Sequence, residues 1–302
     1  MRNAGRDATV EEKVDIPTDN RRIQSVSKVP LITLNNGVEM PQLGFGVWQV
    51  PPDETATAVG TALEAGYRSI DTAAIYGNEE GVGRAVAASG IPRDELFITT
   101  KVWNSDQGYD STLRALDTSL QKLGMDHVDL YLIHWPTPAR DKYVDTYRAF
   151  EKILSEGRAR SIGVSNFHPE HLQRLFDETS VVPAVNQIEL HPYLQQQAVR
   201  AFHAEHGIAT EAWSPLGQGK GLLSVPTLAA LARKHDRSPA QIVLRWHLQL
   251  GNIVIPKSVT PSRIRENIDV IDFELDDEDM AAIAALNEDR RLGADPAEMN
   301  MV

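Results

Sequence analysis

The chain reads as one α/β domain, a single (β/α)8 barrel of the TIM type with an N-terminal β-hairpin and extra helices near the C-terminus. Short β-rich runs alternate with longer helical patterns from Leu43 almost to the end. Eight such runs occur, the number that closes a parallel barrel rather than leaving an open doubly wound sheet. The 302 residues hold one barrel, which needs roughly 250, with additions.

The first 28 residues are polar, mixed in charge and without sustained period, so a flexible leader is expected over 1–28 and the barrel over 29–302. A hairpin follows: Ile32–Leu34, the turn residues Asn35, Asn36 and Gly37, then Val38–Met40. The strand runs are Leu43–Gly46, Ser69–Asp71, Leu96–Lys101, Val128–His134, Ala159–Val164, Ala184–Glu189, Ala209–Trp213 and Asn252–Pro256. Helical stretches between them include Pro52–Ala65, Glu79–Ser89, Ser111–Leu123, Val144–Glu156, Pro169–Asp177 and Gln196–His206. Val225–His235 and Pro239–Gln249 precede the last strand, while Ser262–Val270 and Asp277–Leu286 follow it. Ser238 before Pro239 is a helix start signal, and Gly66, Gly90, Gly124, Gly157 and Gly207 each close a helical stretch.

Composition narrows the functions. The chain has no cysteine, which excludes disulfides, thiolate metal sites and a cysteine nucleophile. A net charge of −12 without any Lys/Arg run disfavours a nucleic-acid partner. No apolar stretch reaches the roughly 20 residues of a membrane span, and Arg2, Arg6, Asp7, Glu11, Glu12 and Lys13 break up any signal-peptide core. A cytoplasmic protein, monomeric and without membrane contact, is expected.

Barrels of this kind carry their chemistry at the C-terminal ends of the strands. The second strand ends in Asp71 with Tyr76 just beyond, the third in Lys101, and the fourth in His134. A tyrosine titrates near pH 10 unperturbed, and a nearby ammonium lowers that value by stabilising the phenolate. A carboxylate beside the lysine keeps the lysine charged, so the set can hand a proton to a nascent alkoxide. Singly, Asp71–Lys101 is an ordinary buried pair, Tyr76 a packing residue and His134 a core histidine. Their coincidence on one rim favours chemistry.

The segments Asp71–Glu80 (DTAAIYGNEE), Thr99–Asn104 (TTKVWN), Leu132–Pro136 (LIHWP), Gly163–Phe167 (GVSNF) and Ile255–Ser258 (IPKS) resemble the signatures of the aldo-keto reductase family. The likeness runs from about Leu31 to about Leu286. Within the family, Val181–Pro192 and Trp213–Lys220 resemble most the bacterial 2,5-diketo-D-gluconic acid reductases. The resemblance implies a catalytic tetrad of Asp71, Tyr76, Lys101 and His134, with Tyr76 as general acid, Lys101 as its tuner, Asp71 orienting Lys101, and His134 positioning the substrate carbonyl. It implies NADPH as hydride source, held extended across the barrel mouth. The Rossmann glycine pattern is absent, since Gly44-Phe45-Gly46-Val47-Trp48-Gln49 lacks the third glycine.

On the same basis Ser165, Asn166 and Gln187 bind the carboxamide and Trp213 stacks on the nicotinamide. Ser214, Leu216 and the loop beginning at Gly217 cover the pyrophosphate. Lys257, Ser258 and Arg263 suit a phosphate dianion and favour NADPH over NADH, with Glu266 and Asn267 near the adenine. Trp48, Trp103 and Trp135 wall a pocket for a small carbonyl substrate, with Asn104 offering it a hydrogen bond. No metal is expected: His191 follows the sixth strand, but no H-x-H or H-E-x-x-H spacing occurs. The polar tail, Asp289–Val302, is short and expected to cover little of the pocket. Two rivals stand beside this reading, an NADPH-sensing regulatory barrel with little turnover and a metal-dependent barrel hydrolase.

Overall fold

The computed structural model describes residue 1 and residues 29–302. The leader expected over 1–28 lies outside the described residues, Met1 apart. The hairpin forms between β1 (Leu31–Thr33) and β2 (Glu39–Pro41), with Ile32 opposite Met40. Its turn is tied to the barrel by side chains. Asn36 Nδ2 donates to the Arg160 carbonyl at 3.0 Å, and Asn35 Nδ2 to that of Pro183 at 3.1 Å.

Eight parallel strands follow: β3 (Phe45–Gly46), β4 (Ser69–Asp71), β5 (Phe97–Val102), β6 (Val128–Ile133), β7 (Ala159–Ser165), β8 (Val185–Glu189), β9 (Ala209–Trp213) and β10 (Ile253–Val254). Each pairs with the next in chain order. The circle closes where Leu43 bridges Val254, with Gly44 N donating to Val254 O at 2.8 Å and Val254 N to Gln42 O at 3.0 Å. The first and last strands are shorter than the expected runs Leu43–Gly46 and Asn252–Pro256, because this seam carries little regular ladder.

Helices α1 (Pro52–Ala65), α2 (Glu79–Ala88), α3 (Tyr109–Leu123), α4 (Tyr143–Ser155), α5 (Pro169–Glu178) and α6 (Gln197–Glu205) each follow one strand. Two helices, α7 (Pro226–His235) and α8 (Pro239–Gln249), separate β9 from β10, and α9 (Pro261–Ile268) and α10 (Asp277–Ala284) follow. The anticipated cap of α8 forms a box: Ser238 Oγ accepts from Gln241 N at 3.3 Å while Gln241 Oε1 accepts from Ser238 N at 3.0 Å. At the ends of α1 and α3, Gly66 (φ 106°) and Gly124 (φ 66°) take left-handed conformations that a side chain would strain.

Strand alternation divides the core. Leu130 and Leu132 of β6 join Phe97, Val185, Ile253 and the hairpin residues Leu34 and Met40 in one cluster. Tyr131 and Ile133, the alternate residues, pack into the larger cluster shared with the helices. The hairpin thus seals the N-terminal end of the barrel. What remains open is the other end, where the strand-end polar residues lie.

Candidate active site

Lys101 is wholly buried one residue before the end of β5. Its Nζ lies 2.6 Å from Asp71 Oδ1 and donates to the Thr72 carbonyl at 2.9 Å. The same ammonium stands 5.2 Å from the ring centre of Tyr76. Tyr76 sits in the 3-10 turn Ala74–Tyr76, ended by Gly77 at φ 67°. Its ring meets His134 edge-on at 5.6 Å, and His134 meets Trp103 edge-on at 5.2 Å. The structure therefore brings together the four residues of the expected tetrad, from three successive strands.

Burial raises the Tyr76 hydroxyl above its ordinary value. Lys101 pulls it back, and the charges of Asp71 and Glu211 push it up again. The phenol is accordingly protonated at neutral pH. Lys101 is held above its usual value: burial lowers it, but Asp71 and Tyr76 more than compensate. His134 is driven well below its usual range by burial and by Lys101, so its imidazole is neutral. His134 Nδ1 is buried and has no partner among the described residues.

Gln187, on β8, donates from Nε2 to Asp71 Oδ2 and to Glu211 Oε2, both at 2.8 Å. Two acidic acceptors dictate which end of the amide is nitrogen. With both N–H groups committed, only Oε1 is free to meet a ligand, and it can only accept. Asn166 (φ 65°) donates to His134 O at 3.0 Å and Ser165 Oγ at 3.1 Å, and accepts from Trp213 Nε1 at 2.8 Å. That last bond sets the plane of the indole.

These groups face a cavity of about 1250 Å³, larger than a typical small-molecule site. Of the expected site residues, Asp71, Tyr76, His134, Ser165, Asn166, Gln187, Trp213, Ser214 and Leu216 line it. So do Lys257, Ser258, Arg263, Glu266 and Asn267 at one end, and Trp48, Trp103 and Trp135 on the walls. Lys101 lies behind the wall, and Gly217 and Asn104 are not among its lining. Gln49, Asn166, Ser214 and Gln218, all lining the cavity, hold positive φ angles of 57°, 65°, 51° and 52°. Strained non-glycine backbone is characteristic of functional sites.

Two expectations are corrected. The tail does not leave the pocket open: Leu292, Gly293, Ala294, Met299, Met301 and Val302 all line it. Asn104 does not offer its amide to the pocket, because its Nδ2 donates to the Met301 carbonyl at 2.7 Å and so anchors the tail. Length and polarity hid this, since the tail is held by its backbone. Sequence reasoning also passed over Glu189, which receives the amides of Leu292 and Gly293 at 2.6 and 2.9 Å. Glu211, beneath the tetrad, was passed over too. The available signal was an acid at an inward position of a strand otherwise made of Ala, Thr and Trp.

Fold and rim together define an α/β barrel whose open end gathers a buried carboxylate, ammonium, phenol and imidazole. Residues 41–288 match the model of the aldo/keto reductase family, and the chain belongs to that family. Methylglyoxal reductase DkgA of Yersinia pestis is 59% identical over 268 residues, 88% of this chain and 96% of that one. The crystal structure of an aldo/keto reductase from Brucella melitensis superposes with a TM-score of 0.84 at 61% identity, covering 86% of this chain and 98% of the other. A variant of Gox0644 in complex with NADPH superposes with a TM-score of 0.86 at 54% identity, covering 89% and 98%. Among the described residues no helix is long and apolar enough to cross a membrane, and no group of three or more His, Asp or Glu side chains could hold a metal.

Proposed function

We propose that the protein reduces aldehydes and ketones to alcohols with NADPH, Tyr76 supplying the proton. The observation that carries this reading is Lys101 standing between Asp71 Oδ1 at 2.6 Å and the Tyr76 ring at 5.2 Å. A protonated phenol backed by a buried ammonium can give up its proton and be stabilised as phenolate. The neutral His134, edge-on to Tyr76, orients the carbonyl oxygen toward the phenol. Trp48, Trp103 and Trp135 supply apolar walls that keep water from the reacting carbon.

The dinucleotide, when bound, supplies the hydride. The residues present fit it. Trp213 offers a plane fixed by Asn166, and Gln187 Oε1 can accept from a carboxamide NH2. Lys257 and Arg263 are exposed at the far end of the cavity, and no carboxylate among the described residues pairs with either. Two uncompensated cations beside the Ser258 hydroxyl suit a 2′-phosphate and favour NADPH over NADH.

Small dicarbonyls such as methylglyoxal and keto-sugar acids such as 2,5-diketo-D-gluconate are the proposed substrates. The relative named a methylglyoxal reductase supports the first. The resemblance of Val181–Pro192 and Trp213–Lys220 supports the second. The test follows NADPH consumption with both compounds and simple aromatic aldehydes, in wild type and Tyr76→Phe. Turnover should fall by about 100- to 10,000-fold in the variant, with NADPH binding retained. Full activity in Tyr76→Phe would sink the mechanism, and tight NADPH binding without any turnover in wild type would point to a sensor.

A further inference from the structure

Glu211 lies wholly buried in β9, in register with Gln187 on one side and Ile253 of β10 on the other. Its Oε2 accepts from Gln187 Nε2 at 2.8 Å. Its Oε1 is buried with no partner among the described residues, and no cation there pairs with it. An ionised carboxylate so placed is costly unless something offsets it.

The charged and titratable groups facing it come from three places. Asp71 faces it from β4, through the shared Gln187 amide. Lys101 faces it from β5, already engaged by Asp71 and Thr72. Tyr76 faces it from the turn after β4 and feels its charge. In register beside it, β10 presents the uncharged Ile253. Burial, then Asp71, push the Glu211 carboxyl up to about 8, while Gln187 and Lys101 pull it back.

We propose that Glu211 is a positioning residue for the proton donor: its charge opposes that of Lys101 and sets the pH at which Tyr76 gives up its proton. The inference rests on the reading of Tyr76 as general acid. While Glu211 is neutral, Lys101 acts on the phenol against Asp71 alone. Once Glu211 ionises, a second negative charge beneath the site holds the Tyr76 proton more tightly. The protonated donor, and with it carbonyl reduction, therefore survives to higher pH than the tyrosine–lysine pair alone would allow.

Glu211→Gln tests this, since it keeps volume and an acceptor for Gln187 but cannot ionise. Tyr76 is titrated through its near-ultraviolet tyrosinate absorbance in the cofactor-free protein, as the difference between each protein and its Tyr76→Phe counterpart. The pH profile of kcat for reduction is recorded alongside. In Glu211→Gln both the Tyr76 titration and the alkaline limb of kcat should move to lower pH by at least about half a unit, the scale of a modest charge interaction in the interior. Glu211→Thr, acceptable in a strand, should do the same and serves if the glutamine variant does not fold. Coincident Tyr76 titrations in wild type and variants overturn the inference, whether turnover is normal or uniformly reduced. Wild type that reduces no carbonyl would refute the proposed activity instead, and the tyrosinate titration would still decide the role of Glu211.

Discussion

A methyl group on Gly293 would stand 2.6 Å from Cη2 of Trp213 and 3.0 Å from Oε2 of Glu189. The tail can therefore lie against the indole only because residue 293 has no side chain. Glu189 grips it there through the Leu292 and Gly293 amides, and His191 Nε2 is 2.9 Å from the same carboxyl. Burial would raise the Glu189 carboxyl, but the hydrogen bonds from His191 and the two amides hold it below its usual value. Lys220 adds a bond to the Leu292 carbonyl at 3.3 Å, joining the loop after β9 to the tail.

Gly293→Ala should lift the tail from the cavity it lines. Overpacking costs about 1–3 kcal/mol, and we expect KM for small carbonyls to rise about tenfold, the equivalent of about 1.4 kcal/mol. The melting temperature should change little, because the core does not depend on the tail. Steady-state kinetics check this, and an unchanged KM would show that the tail does not confine the substrate.

The Asp71–Lys101 pair holds the site together as well as tuning it. Lys101→Met should leave Asp71 buried without its cation and cost about 3–5 kcal/mol of stability. The double variant Asp71→Asn, Lys101→Met should regain much of that stability but none of the activity. Urea titrations distinguish these outcomes. A single variant as stable as wild type would mean that water or a shifted side chain already compensates Asp71.

Local signals carried the barrel and the gathering of Asp71, Tyr76, Lys101 and His134 at its open end. Strand-length apolar runs separated by amphipathic stretches repeat eight times, and Asp71, Lys101 and His134 sit at strand ends where the barrel projects side chains inward. Glu211 was less legible, because its meaning depends on Gln187, 24 positions away, and through it on Asp71, a further 116 positions off, along paths that only the closed barrel joins. Glu189 and Asn104 failed for a related reason. Both grip backbone groups of the tail, at sequence separations of 103 and 197, and a backbone amide leaves no trace in the identity of the residue that carries it. The seam strands β3 and β10 fall short of the runs Leu43–Gly46 and Asn252–Pro256 because the barrel closes there through an isolated Leu43–Val254 bridge rather than a continuous ladder.

Buried histidines should set the acid limit of stability. Burial, then Arg200, lowers His203 to about 4, and burial, then His191 and Arg200, lowers His247 to about 3. A histidine whose folded pKa lies below its unfolded value of about 6.5 binds more protons when unfolded, so its stabilisation is present above that value and is lost as pH falls. Between pH 6 and 4 the unfolding free energy should drop by up to about 1.4 kcal/mol per pH unit for each such histidine. His203 is the better probe: Asn186 Nδ2 lies 2.9 Å from its Nε2, so Nδ1 carries the proton toward Thr210 Oγ1, also at 2.9 Å. His203→Gln should flatten the pH dependence of urea midpoints while lowering stability at neutral pH. An unaltered slope would place the acid sensitivity elsewhere.

Arg263 should decide the choice of dinucleotide. It is exposed at the N-terminal turn of α9, beside the buried Ser258 hydroxyl, which already accepts from Thr260 N at 3.1 Å. The Ser258 hydroxyl proton is thus free to be donated to an anion, and the guanidinium can reach one bidentately. A charge-assisted hydrogen bond contributes about 1.5–3 kcal/mol, so Arg263→Ala should weaken NADPH binding by roughly 10- to 100-fold. NADH lacks the 2′-phosphate and should bind wild type and variant alike. Fluorescence titration with both dinucleotides measures the two constants. Equal loss for NADPH and NADH would mean that Arg263 contacts a part common to both, and the selectivity would then fall to Lys257.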